Sequence, residues 1–207
     1  MNRAASYTFG IVLLAAASAR ADNLTRWTTN YYNVAGSTIR DIHRSLAQSR
    51  PWRDKSTADG LTDWRVTWRF YVAPSGDKCR CTSFSTTTTI TMTLPRWIAA
   101  TNALPEIKTA WQRYITALGQ HEAGHAQFAL NAAAEMQKQS RNLEMPDCDG
   151  LRSKISGQCQ AILDDYRRRE REYDERTKHG AAQGAALRLD RPNDDFPRIN
   201  PQKDGPR

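Results

Sequence analysis

Apolar positions recur at steps of three and four residues through Ile107, Trp111, Tyr114, Leu118, Phe128, Ala132 and Met136. That spacing is the inward stripe of a long helix. Pro105 suits its first turn, and the pattern runs to about Arg141. His121 and His125 stand on the same stripe, where a core would ordinarily take Leu or Ile. A second stripe of Leu151, Ile155, Ile162, Tyr166 and Tyr173 predicts a last helix after a turn at 146–150, with Gly180 as its αL stop. A shorter helix carries Ile39, Ile42 and Leu46 on one face, with Thr38 as its cap and Pro51 beyond its end.

Period-two patterns fill the rest. Residues 27–34 read as a first strand, with Gly36 turning the chain. Over 61–72, Trp64, Val66, Trp68, Phe70 and Val72 face one way and Asp63, Arg65, Thr67 and Arg69 the other, as in a half-buried antiparallel strand. A turn at 74–77 leads to 84–94, where Phe84, Ile90, Met92 and Leu94 alternate with threonines. The fold class is therefore α+β: a small antiparallel sheet packed against a long helix and a C-terminal helix.

The two ends of the chain read differently. Arg3, an apolar run over 7–17 and the Ala19-Arg20-Ala21 triplet form a signal peptide cleaved after Ala21. No later segment is apolar enough to span a bilayer, so the sequence predicts an exported protein, periplasmic or secreted. Beyond about Asp190 the chain is rich in Pro, Asn, Asp and Arg, and a disordered tail is expected over 191–207. Between them lies a domain of 22–190, long enough for a core of its own. The formal net charge is +8, and removal of Arg3 and Arg20 takes it to +6, from 28 basic and 22 acidic residues. An anionic envelope surface would suit that balance. The basic residues alternate with acids, as over 167–178, so a nucleic-acid stripe is not expected.

Candidate chemistry centres on His121-Glu122-Ala123-Gly124-His125. Histidines four apart share one helix face and can meet one metal ion. A glutamate next to the first is placed as general base for the water that such a metal activates. A pair of buried core histidines would leave Glu122 unexplained. Gly119 and Gly124 cost roughly 1 kcal/mol each in helix propensity, which suggests close approach by the sheet or a substrate. The threonine-bearing strand offers an edge that could pair with an extended substrate. Four cysteines in an exported domain read as two disulfides. Of three connectivities, the local one, Cys148 with Cys159 and Cys79 with Cys81, is slightly favoured.

A catalytic zinc needs a third protein ligand. The longer pattern that would supply a third histidine is absent, since Asn131 stands at its position. His43, Glu135, Glu170, Asp174, Glu175 and His179 have the right chemistry. An antiparallel last helix brings its C-terminal end toward the motif, so Asp174 and His179 are the natural choices.

Several further motifs accompany the zinc motif: Tyr32-x-Val34-x-Gly36, Thr-Leu-Pro-Arg-Trp over 93–97, and Tyr173-Asp174-x-x-Thr177-x-His179-Gly180. In this combination the chain resembles the domain of unknown function 922 family, described as predicted bacterial secreted zinc-dependent proteases. The resemblance covers most of 27–185. It implies a zincin-like fold, a Zn2+ cofactor and a peptide or protein substrate. It also implies His121, His125 and His179 as metal ligands and Glu122 as catalytic base. Asp174 then orients a histidine or is itself the ligand, and Tyr173 could donate to a developing oxyanion. The rivals are a non-catalytic, zinc-stabilised envelope binding module and an amidase acting on cell-wall peptides. Oligomeric state is not legible.

Overall fold

The computed structural model describes residues 23–52 and 57–189. The signal peptide and the tail expected from the sequence lie outside them. Strand β1 (Leu24–Gly36) is followed by helix α1 (Ile39–Ser49) and by the long hairpin strands β2 (Leu61–Ser75) and β3 (Lys78–Ala99). Helix α2 (Pro105–Ser140), the short strand β4 (Glu144–Met145) and helix α3 (Cys148–Thr177) complete the order, with a 3-10 turn at Ala181–Gln183.

The sheet is mixed, not antiparallel as expected. Its order is β1-β3-β2, with β1 parallel to β3 and β2 antiparallel to β3. The reason is that the strand following β1 in the chain is not its neighbour: α1 packs against β1, and β2 then starts at the far edge in the opposite direction. The Gly76-Asp77 turn then sends β3 back between them, so β3 runs the same way as β1. Gly76 has a φ of +64°, which this two-residue reversal requires.

A register shift at Tyr71/Val72 leaves Val72 opposite Cys81 while Tyr71 faces Ser83. The extra residue in β3 changes which positions face inward. Cys79 and Cys81 are buried before it, and Phe84, Thr86, Thr88 and Ile90 after it.

All nine residues of the predicted α2 stripe are buried, as are all five of the α3 stripe. Helix α3 runs antiparallel to α2: Cys159 meets Ser140, Tyr166 meets Glu135, Glu170 meets His125 and Asp174 meets His121. It ends at Thr177, three residues before the expected stop. Lys178, His179 and Gly180 then follow at φ of 51°, 51° and 84°.

The apolar core has two parts. One joins the bulged half of the hairpin to the C-terminal half of α2 and to α3. The other joins α1, the ends of β1 and β3, and the N-terminal half of α2. The His-Glu-x-x-His segment lies where they meet. Among the described residues no helix is long and apolar enough to cross a membrane.

The cysteines correct the expected pairing: the bridge is Cys79–Cys148, and Cys81 and Cys159 are free and buried. Cys148 opens α3 instead of lying in a turn, so Cys159 is about 16 Å along the same helix. A bridge needs Cα atoms within about 7 Å. Cys79 and Cys81 are neighbours on one face of β3. Pairing of β4 with Cys79 and Arg80 brings the start of α3 alongside, and the Cys79 and Cys148 Cα atoms are 5.1 Å apart.

Candidate metal centre

One turn of α2 places His121 and His125 on a common face, both buried. Their Nε2 atoms lie 3.2 Å apart. Asp174 closes a triangle from α3, with Oδ1 at 3.2 Å from His121 Nε2 and 3.1 Å from His125 Nε2. Two ligands of a tetrahedral zinc, each at 2.0–2.1 Å, are about 3.3 Å apart, so these donors fit such an ion without rearrangement. Among the described residues, His121, His125 and Asp174 are the His, Cys, Asp and Glu side chains whose ligand atoms converge in this way.

Each imidazole is fixed from behind. His125 Nδ1 donates to Glu170 Oε1 at 3.0 Å, and His121 Nδ1 donates to Gln183 Oε1 at 2.9 Å. Those bonds leave both Nε2 lone pairs toward Asp174, as outer partners do in metal sites. Glu170 Oε1 also accepts from Trp64 Nε1 at 2.7 Å, which ties the outer partner to β2. Without an ion, burial works against the His125 imidazolium. The hydrogen bonds to Asp174 and Glu170 outweigh it and push its pKa up to about 10. Burial likewise opposes the Asp174 carboxylate. The bonds from His121 and His125 prevail and hold it well below the usual range.

Glu122 is 3% exposed. Burial raises its carboxyl pKa, against the pull of His125 and of the Thr62 hydroxyl. That hydroxyl reaches Glu122 Oε2 at 2.8 Å and the Glu122 carbonyl at 3.1 Å. Gly60 fits over the other oxygen, where a Cβ would stand 2.4 Å from Oε1. The segment carrying Gly60 is anchored in turn: the Asp59 carbonyl accepts from Tyr32 at 2.7 Å, and its carboxylate accepts from Tyr114 at 2.9 Å. A cleft of about 280 Å³ opens onto these groups, lined by Gly60, Thr62, His121, Glu122, His125 and Asp174 among others.

The remaining candidates fall outside the triangle. His179 lines the cleft with its side chain 55% exposed, and its Nδ1 is 3.4 Å from Asp174 Oδ2. Tyr173 is buried behind the histidines: its ring stacks on His121 at 5.0 Å, and its hydroxyl is 3.3 Å from the His121 carbonyl and 3.2 Å from Gln183 Oε1. Gly124 makes room for it, since a Cβ there would sit 2.5 Å from the Tyr173 hydroxyl oxygen. The close approach expected at Gly124 is thus by α3, not by sheet or substrate, and Gly119 has only Leu94 at 3.9 Å. Gly180 presses on the His121 ring, 2.9 Å from a Cβ position to Cγ. His43 bonds to the Leu187 carbonyl, and Glu135 to Tyr166.

Sequence reasoning missed Thr62, Gly60 and Gln183. Thr62 had a signal, as a polar residue in phase with the inward-facing Trp64 and Val66. Gln183 had none.

A family model of bacterial proteins of unknown function, DUF922, matches residues 29–180. The chain belongs to the DUF922 family. No curated protein and no solved structure gives a significant match. The matched stretch spans β1 to Gly180, so it takes in each of the three donors and Glu122. Gly36 and Trp97, in two of the motifs outside α2, meet directly: Trp97 Nε1 donates to the Gly36 carbonyl at 3.0 Å.

Proposed function

We propose that this DUF922 protein is an exported zinc metallopeptidase with a zincin-like active-site helix. The observation that carries the reading is the convergence of three donor atoms 3.1–3.2 Å apart beside Glu122, on the wall of an open cleft. Two imidazoles and a carboxylate that leave one side open match the donor set of a catalytic zinc. When bound, zinc supplies a Lewis acid and lowers the pKa of water to about 7.

The chain's own residues do the rest. His121, His125 and Asp174 hold the ion, so Asp174 takes the place that the resemblance gave to His179. His179 steadies the outer oxygen of Asp174. Thr62 fixes Glu122 Oε2, and Oε1 beside Gly60 takes the proton of the attacking water and passes it to the leaving amine. Tyr173 positions the His121 ring from behind instead of serving an oxyanion. The threonine-bearing strand expected to offer an edge is β3, which is paired on both sides. The edge strand is β2, whose Leu61 and Thr62 line the cleft, which suits backbone pairing with an extended peptide. The Cys79–Cys148 bridge is compatible with an oxidising compartment reached after cleavage behind Ala21.

The test is elemental analysis and peptide hydrolysis on the mature protein. Glu122→Gln is expected to retain zinc while hydrolysis falls by roughly 10²–10⁴-fold. Undiminished hydrolysis by that variant sinks the reading. Folded wild type that takes up no zinc does the same. A substrate panel of proteins and cell-wall fragments separates protease from amidase.

A further inference from the structure

We propose that the cleft selects peptides with an anionic group next to the bond it cuts, through Arg167 and Arg171. This deepens the peptidase reading and rests on it. A second cleft of about 290 Å³ adjoins the first and shares Thr62, Glu170 and Arg171 with it. Trp64, Arg167 and Asp63 line the rest. The two clefts meet at the shared residues, so Arg171 borders both the donor triangle's cleft and the second one, and Arg167 borders the second.

Helix α3 is rich in arginine, and the others near this point are engaged. Arg168 pairs with Asp165 and Glu172, Arg169 pairs with Asp165 at 2.7 Å and covers the Tyr166 ring, and Arg176 lies over Tyr173. Arg167 and Arg171 are one turn apart, both exposed, and neither has a hydrogen bond or ion pair with a described residue. Of the acids in the second cleft, Glu170 has its Oε1 taken by His125 and Trp64. Asp63 lies on the solvent-facing side of β2. The second cleft therefore offers two forked cations beside one committed carboxylate, Glu170, and the solvent-facing Asp63. Guanidinium groups so placed bind a carboxylate in bidentate fashion, such as an acidic side chain or a free C-terminus.

The experiment uses full-length, zinc-loaded Glu122→Gln protein and a matched pair of hexapeptides, one with Asp and Glu and one with Asn and Gln at the same positions. Binding is followed by calorimetry. The acidic peptide should bind about tenfold more tightly. That preference should vanish in Arg167→Ala/Arg171→Ala and survive in Arg40→Ala/Lys108→Ala, which removes the same charge from distant exposed sites. Equal binding of the two peptides, no binding of either, or equal loss of preference in both double variants overturns the proposal. Wild-type hydrolysis is read separately on the same peptides. Acid-selective binding with no hydrolysis keeps the subsite and sinks the peptidase; hydrolysis with no acid preference does the reverse.

Discussion

The α2–α3 pair holds two buried centres of opposite character. Near the middle of α2 sit His121, Glu122 and His125, faced by Asp174. Toward its C-terminal end sit Cys159 on α3 and, on β3, Cys81 and the Cys79–Cys148 bridge. In the first, the ring nitrogens and carboxylates have named partners within 3.4 Å, because a buried ionisable group without one is costly. In the second, two thiols make only weak hydrogen bonds: Cys81 donates to the Ser83 carbonyl, and Cys159 shares a 3.6 Å contact with the Ser140 hydroxyl. Burial pushes both thiols above their usual pKa. A thiol behaves as a small hydrophobe, so it tolerates this neglect. The contrast teaches that polar chemistry in this fold is specified by an outer ring of partners, and sulfur by location alone.

The most severe way to break the comparison is to remove the donor contributed by α3. Asp174→Ala should lower zinc affinity by about 10³-fold, while His179→Ala lowers it by only about 10–100-fold, as expected of an outer partner. Competition with a chromogenic chelator measures both. The reverse ranking would return the third ligand to His179. On the sulfur side, Cys79→Ser/Cys148→Ser opens a loop of 69 residues and should cost about 4 kcal/mol in denaturant unfolding. Zinc affinity should stay near wild type in that variant. A coupled loss would mean that the two centres are not independent. Gly124→Ala should cost about 1–3 kcal/mol, because its methyl meets the Tyr173 hydroxyl against which α2 and α3 are set.

The smallest effect concerns the Tyr32–Asp59–Tyr114 anchor. Burial first, then Asp59, raises both tyrosine pKa values above the ordinary 10.0. The folded state therefore holds protons that the unfolded state releases. This contribution is intact below pH 10 and is lost as pH climbs toward the higher folded values. Tyr114→Phe should make the fall of unfolding free energy above pH 10 shallower by up to about 1.4 kcal/mol per pH unit. An unchanged slope would remove Tyr114 from the anchor.

Helix periodicity made much of this legible. The stripes of α2 and α3 follow from side-chain spacing alone, and two of three donors come from one turn of one helix. The antiparallel α3 then narrowed the third donor to Asp174 or His179. Choosing between them depends on backbone beyond the helix end, where Lys178 and His179 enter the left-handed region and carry the His179 ring outward. The parallel β1 was hidden because strand order, β3 lying between β1 and β2, is not recorded in hydrophobic alternation. The disulfide was misread for a similar reason. The β3 bulge and the two-residue β4 leave almost no trace in composition, yet they decide which cysteines meet.

The seating of Tyr173 in the notch left by Gly124 has a consequence for how the protein is loaded. A slip of α3 along α2 by one turn would drive that ring into side chains and carry Asp174 about 5 Å from the histidines. The interlock works as a detent, and it holds the donor triangle at ligand spacing by steric means. A cation bound by His121, His125 and Asp174 would meet donors already at ligand spacing, and no helix would have to move to receive it.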